Sequence, residues 1–318
     1  MISPPATALA PVETCEPHCG PGRGASVLAL LTAMLVFPLI FVGAGVTSKD
    51  AGLAYPDWPT SGGHLLTDPP NWWQSDDTRW EHGHRRIGQA VGLLAIGLAV
   101  ASWRSRGAVR AVGIATLAAI CIQGLLGGVR VTEKSTDLAL VHGIWGQACF
   151  CLACTAALIT SPTWRRPREK VVIAAGRFLQ WLCLAGTASL LLQLALGAAR
   201  RHFGSGHALV AHILWAIVAV FLIGWIAMSV MGLSSAPKAM IRFAKATGVL
   251  MAVQLALGGL AGLVTFAPAS WPTWLVWVAP TVHVAVGALV LMTSVLLTVC
   301  AFHWVGSPIR RIEPAAVL

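Results

Sequence analysis

Between residues 78 and 94 the chain reads TRWEHGHRRIGQAVGLL, which sets Glu81, His82, His84, Arg85 and Arg86 against the start of a long apolar run. A carboxylate can move a proton, an imidazole can hold a metal, and a guanidinium can pair with an anionic group. Glu81 and His84 are three residues apart and share nearly one helix face, so they can serve a single site. His82 lies about 200° around the helix from His84 and faces elsewhere.

His84 belongs to a set. Three segments resemble one another, IQGLLGGVR from residue 122, LQLALGAAR from 192 and VQLALGGLA from 253. Each is followed by a histidine at the start of the next apolar run, in LALVHGIWG (His142), ALVAHILWA (His212) and APTVHVAVG (His283). Nineteen residues separate Gln123 from His142 and Gln193 from His212, and twenty-nine separate Gln254 from His283. The first copy, LIFVGAGVTS, carries Leu39 where the others carry glutamine. A small residue stands four positions after each histidine, Gly88, Gly146, Ala216 and Gly287, and should let a flat, bulky ligand approach the backbone. His82 is followed by Arg86 and falls outside this pattern.

The elements that position these groups are membrane helices. The 318 residues are 56% hydrophobic and 11% charged, well below the roughly 25% charge of a soluble domain. Apolar runs at 26–47, 86–103, 108–129, 139–161, 172–199, 208–231, 243–266 and 278–303 each approach the ~20 residues that cross a bilayer. Lipid leaves no partner for unpaired backbone groups, so helices are expected. Basic residues gather on one side, around Arg104 to Arg110, Arg165 to Arg177, and Lys238 to Lys245, with Arg310 and Arg311. That asymmetry puts both termini in the cytoplasm. The net charge of +10 then reflects topology and attraction to anionic lipid; it carries no nucleic-acid signal.

The expected architecture is all-α and membrane-integral, eight transmembrane helices in two pseudo-symmetric four-helix halves. Residues 1–25 form a disordered cytoplasmic tail, 26–161 the first half, 162–171 a basic cytoplasmic linker, 172–305 the second half and 306–318 a second tail. Cys15, His18 and Cys19 in the first tail make an incomplete soft-metal set. Cys151 and Cys154 sit in a membrane run and serve as small apolar residues.

An ionisable residue in a membrane span is costly and is a functional candidate by default. Four at matching positions point to a shared ligand role. No thiolate or carboxylate cluster completes a zinc tetrahedron beside them. Haem iron needs only one or two axial ligands from facing helices, so two histidine pairs imply two haem sites. The halves differ: Glu81 and a long polar loop (48–80) occur only in the first, and the matching region of the second, FAPASWPTWLVWVAP, is an apolar, Trp-rich loop.

GAGVTSKDAGLAYPDWPTSGG, followed by EHGHRR and the later histidines, resembles the heme A synthase family across all eight runs. The resemblance implies that heme O binds as substrate near His84 and His142, and that heme b is a cofactor between His212 and His283, all four being axial iron ligands. It implies oxidation of the C8 methyl of heme O to the formyl group of heme A, by successive hydroxylations and loss of water. Glu81 matches the family's essential glutamate. Arg85 is expected to pair with haem propionates. The implied partners are an electron-transfer partner that the sequence does not name, the heme O synthase that delivers substrate, and membrane lipid.

The chain departs from the family pattern twice. Its first outer loop has no cysteine pair, and Ser48 stands where many members carry arginine. Asp57 and Trp58 in that loop suit either a Pro-bracketed turn or a lid, while His64, His202 and His207 are expected in surface loops. The histidines alone would also suit a non-catalytic, cytochrome-b-like electron carrier, which gives Glu81 no task. A transporter would show matched midplane helix breaks, which are absent.

Overall fold

The computed structural model describes residues 22–65, 67–165 and 169–308. The expectations for Cys15, His18 and Cys19, for Arg166 and Arg168 and for Arg310 and Arg311 lie outside these residues, as do most of both tails.

Eight long helices make up the fold: α1 (Arg23–Ser48), α2 (Asp76–Ser102), α3 (Ala108–Thr132), α4 (Thr136–Thr160), α6 (Gly176–Phe203), α7 (Gly206–Met231), α8 (Lys238–Phe266) and α9 (Thr273–Trp304). A single turn, α5 (Pro162–Arg165), follows α4. Seven of the long helices are long and apolar enough to cross a membrane. The other, α2, starts ten residues before the predicted run at 86 and carries Asp76, Asp77, Arg79, Glu81, Arg85 and Arg86 in its first three turns.

Helices α2, α4 and α7 begin on a serine. Ser75, Ser135 and Ser205 accept the N–H groups of Thr78, Leu138 and Ala208 at 3.1, 3.2 and 3.2 Å. Each thereby satisfies one of the donors that a helix start leaves unpaired. The cap sets where the histidine falls, since His142 and His212 each lie seven residues beyond their serine. Helix α9 begins instead after Pro272, and α8 runs on to Phe266. The expected Trp-rich loop is therefore reduced to residues 267–272, and Trp274 and Trp277 are helical. The longer spacing from Gln254 to His283 is taken up by longer helices and a longer connection between them.

Helix α1 packs on α2, α4 and α9, and α3 packs on α2 and α4. In the second group α6 packs on α7 and α9, and α8 on α7 and α9; α4 also meets α6. The largest apolar cluster lies among α6, α7, α8 and α9, where Leu182, Ile223, Met240 and Leu297 interlock. Large apolar side chains such as Leu93, Val100, Phe221 and Val249 remain exposed, the outward surface that lipid requires. At one end, β1 (Val171–Val172) pairs in parallel with β2 (Val305–Gly306), tying the linker to the end of α9.

Candidate functional site

The four repeat histidines come together as two pairs. His84 of α2 faces His142 of α4 with ring centres 6.4 Å apart and planes at 78°. His212 of α7 faces His283 of α9 at 6.4 Å and 79°. One metal bound by a nitrogen of each ring needs two bonds of about 2 Å, plus about 1 Å from each nitrogen to its ring centre. The observed separation fits that requirement in both pairs. Among the described residues no three His, Cys, Asp or Glu side chains gather as a metal cluster, so each pair stands as a two-ligand set.

The preceding helix seats each imidazole on a glycine. A Cβ at Gly43, Gly127 or Gly197 would lie 2.8 Å from Cε1 of His84, His142 or His212, and one at Gly258 would lie 3.0 Å from that of His283. Real Cβ atoms do not tolerate 2.8 Å, so the ring occupies space that only glycine leaves open. Each of these glycines lies four residues after Leu39, Gln123, Gln193 or Gln254 in the aligned segments. The repeat therefore specifies a seat as well as a ligand.

The glutamines hold the histidine backbone. Gln123 Nε2 donates to the His142 carbonyl at 3.1 Å, and Gln193 Nε2 donates to that of His212 at 3.0 Å. Nδ1–H of His212 donates to the Gln193 carbonyl at 3.0 Å, which leaves the lone pair on Nε2. A ligating imidazole needs just such an outer partner to fix its tautomer. Trp145 and Trp215 repeat a further contact, their indole N–H groups each donating at 3.0 Å to a carbonyl, of Ala119 and of Ser189.

The small residues after the histidines have a task that the sequence reading did not anticipate. A Cβ at Gly146 or Gly287 would sit 2.9 Å from the amide nitrogen of Gln123 or Gln254. These glycines make room for the glutamine. At Gly88, where the partner position is Leu39, a Cβ would meet nothing within 4 Å.

Around the first pair stands a polar frame with no counterpart at the second among the described residues. Glu81 is 3% exposed. Its carboxylate accepts the Tyr55 N–H at 3.0 Å and pairs with Arg85 at 2.5 Å. The Arg85 guanidinium also donates to the carbonyls of Tyr55, Asp57 and Thr60 at 2.8, 2.7 and 2.6 Å. Its terminal nitrogens are thus engaged by Glu81 and by the loop between α1 and α2. Unpaired backbone carbonyls are costly under cover, and one planar cation satisfies three of them.

Asp57 builds the turn in that loop. Its carboxylate accepts the Thr60 hydroxyl at 2.5 Å and the N–H groups of Gly62 and Gly63, both at 2.9 Å. Partial burial alone would raise its pKa, but the donors from Gly63, Thr60 and Gly62 outweigh it and hold the group at about 2. Trp58 lies flat against α3, where a Cβ on Gly128 would come 2.2 Å from the indole. Asp57 therefore shapes the turn, and Trp58 packs on Gly128, the residue after the seat glycine Gly127.

His82 points away from the pair. Its Nε2 meets Asp68 at 2.9 Å, and its ring packs on Trp72 at 5.2 Å between centres. His64 contacts Thr67 in the loop. His202 and His207, expected in loops, are in the last turn of α6 and the first turn of α7. Two arginines escaped notice as site residues. Arg130 of α3 donates to the Gly52 carbonyl at 3.1 Å, and Arg201 of α6 donates to the Ala44 carbonyl at 2.7 Å and Ser48 Oγ at 2.8 Å. Each sits one turn beyond a seat glycine, a spacing that could have drawn attention to both.

A family model for cytochrome oxidase assembly proteins matches residues 26–209, more than half of the chain. The chain belongs to the heme A synthase family. A heme A synthase of Shouchella clausii is 30% identical over 123 residues, covering 37% of this chain and 39% of its own. One of Paracoccus denitrificans is 32% identical over 130 residues, covering 37% and 33%. A protoheme IX farnesyltransferase of Haloarcula marismortui is 35% identical over 133 residues, covering 40% and 27%. The matched stretch spans between about a quarter and two-fifths of these relatives' lengths. The family match includes His84 and His142 and ends before His212 and His283, yet the geometry of the second pair repeats that of the first.

Proposed function

We propose that this chain is a heme A synthase, oxidising the C8 methyl group of heme O to the formyl group of heme A. In this reading all eight long helices span a cytoplasmic-type membrane as two pseudo-symmetric halves, with both termini cytoplasmic and the histidine pairs toward the outer leaflet. His84 and His142 hold the substrate heme O, and His212 and His283 hold a resident heme b. The observation that carries the reading is the pairing of two alike bis-imidazole sites, only one of which has a buried carboxylate beside it.

A resident heme b supplies a centre that can accept or pass on single electrons. The protein's own groups do the rest. Glycine seats and glutamine clamps orient the imidazoles. Glu81 is placed to hold or accept a proton as the methyl group is hydroxylated and the product loses water. Arg85 pairs with it in a covered place, where a lone carboxylate would be strongly disfavoured. Arg85 also locks the loop that carries Tyr55, Asp57 and Trp58 over the site and limits the entry of bulk water. The chain's partners would be a heme O synthase that supplies substrate and a carrier that removes electrons.

The test is to express the chain in a host supplied with heme O but unable to make heme A, then extract the haems for mass analysis. The formyl product, or its hydroxymethyl precursor, is expected. Heme b with unconverted heme O in folded protein would instead identify an electron carrier.

A further inference from the structure

We infer that Arg130 and Arg201 are the carboxylate-binding residues of the two sites, one for each histidine pair. The inference rests on the reading that both pairs hold iron porphyrins, and it assigns the acidic edge of each porphyrin to a particular side chain.

Arg130 lies three residues beyond Gly127, the seat of His142, and so projects from nearly the same face of α3 one turn farther along. Its charge acts on His84, on His142 and on Glu81. Among the described residues its guanidinium makes one hydrogen bond, from Nη2 to the Gly52 carbonyl. Arg201 lies four residues beyond Gly197, the seat of His212, and its charge acts on His283. It too is anchored through Nη2 alone, to Ala44 and Ser48. Among the described residues both arginines therefore keep Nη1 and Nε donors without a protein acceptor.

A partly buried guanidinium needs an anion or a full set of acceptors. Among the described residues neither arginine donates to Glu81, whose oxygens accept from Arg85 and the Tyr55 N–H. The planar fork of arginine suits a carboxylate, and a dicarboxylate porphyrin held between the histidines would bring one to each arginine. Arg85, the residue that the motif suggested, has its terminal donors spent on the loop. Ser48, at the position where many relatives carry arginine, receives Arg201 from the other helix group.

The test uses full-length protein in detergent, titrated with iron protoporphyrin IX and with its dimethyl ester, whose carboxyls are capped. Soret absorbance reports binding, and the low-spin bis-imidazole spectrum reports ligation. A His212→Ala background leaves the His84–His142 site to be read alone. There the diacid is expected to bind at least about tenfold more tightly than the diester, the worth of a charge-assisted pair. Arg130→Gln should remove that preference while the low-spin spectrum persists, and Arg130→Lys should restore part of it. In a His84→Ala background, Arg201→Gln should act likewise on the other pair. A preference that survives Arg130→Gln or Arg201→Gln, or is absent without them, overturns the assignment at that site. Failure of the unsubstituted protein to give a bis-imidazole spectrum with either porphyrin would overturn the haem reading beneath it.

Discussion

The two histidine pairs match to within a degree in ring angle and share one ring separation and the glycine seats, yet the groups beyond that repeated unit differ. Beside His84 and His142 stand a buried glutamate, a guanidinium that gathers three loop carbonyls, and a tryptophan laid on a helix glycine. Beside His212 and His283 the connections are short and the largest apolar cluster of the molecule packs among α6–α9. Holding a flat ligand between two imidazoles needs only the repeated unit of glycine seat and histidine. On the proposed function, acting on that ligand needs proton-handling groups and cover, and among the described residues these stand beside one pair alone. On that reading, a difference in a single loop separates a reactive site from a holding site.

The sharpest way to break this comparison is to remove the one carboxylate. Glu81→Gln should lower formyl product by about a hundredfold or more, the usual scale for losing a positioned acid or base. Haem content at both pairs should stay near normal, because glutamine keeps the shape and still accepts the Tyr55 N–H. Product analysis beside total haem content separates the two effects, and full activity in the variant would remove Glu81 from the chemistry. Next in size are the seats. Gly43→Ala, Gly127→Ala and Gly197→Ala each place a carbon 2.8 Å from an imidazole, and Gly258→Ala places one at 3.0 Å. The ring must shift by a few tenths of an ångström, which should weaken haem binding by about tenfold, least at Gly258. Spectral titration of the four variants would show whether both pairs depend on the same device; binding indifferent to all four would sink it.

A smaller effect is expected from Arg85→Met. The substitution strips three loop carbonyls and Glu81 of their common donor, and breaking a buried ion pair typically costs about 3–5 kcal/mol. Loss on that scale should open the loop locally before it unfolds the bundle. Proteolysis or hydrogen exchange at residues 50–75 should rise sharply while exchange in α6–α9 stays unchanged. Equal protection of the loop in both proteins would show that Arg85 is not the clamp.

Much of this was legible in the sequence because helices repeat at fixed spacing. The four histidines, their separation from His82 and the distinct standing of Glu81 all follow from residue counts. The glycine seats were equally present in the aligned segments, but a small residue in a membrane helix has many ordinary reasons to be there, and only the partner ring reveals this one. Arg85 is a different case. Its donors are used by carbonyls of Tyr55, Asp57 and Thr60, and backbone acceptors leave no mark on side-chain sequence. Arg130 and Arg201 passed unnoticed, since the sequence does not say which basic residues turn inward. The start of α2 was placed too late because a hydropathy run begins where charges end, whereas the helix begins at its Ser75 cap.

The mildest perturbation is acid, and it acts on one half only. Asp57 has an ordinary value of 3.8 and is held at about 2 by the Gly63, Thr60 and Gly62 donors, against the opposing effect of its partial burial. A depressed folded-state pKa means that the unfolded chain takes up the proton first. The stabilisation from this carboxylate is therefore complete above about pH 4 and is lost as the pH falls toward 2. Loosening should begin in the turn at residues 57–63 and spread to Trp58 and its seat on Gly128, with no counterpart in the short connection between α8 and α9. Asp57→Asn keeps the shape of the side chain but not its charge, and should abolish the acid sensitivity of this loop while lowering its protection at neutral pH. Hydrogen exchange between pH 4 and pH 2 reads both, and a loop whose acid response is the same with asparagine would show that the turn does not depend on the charge.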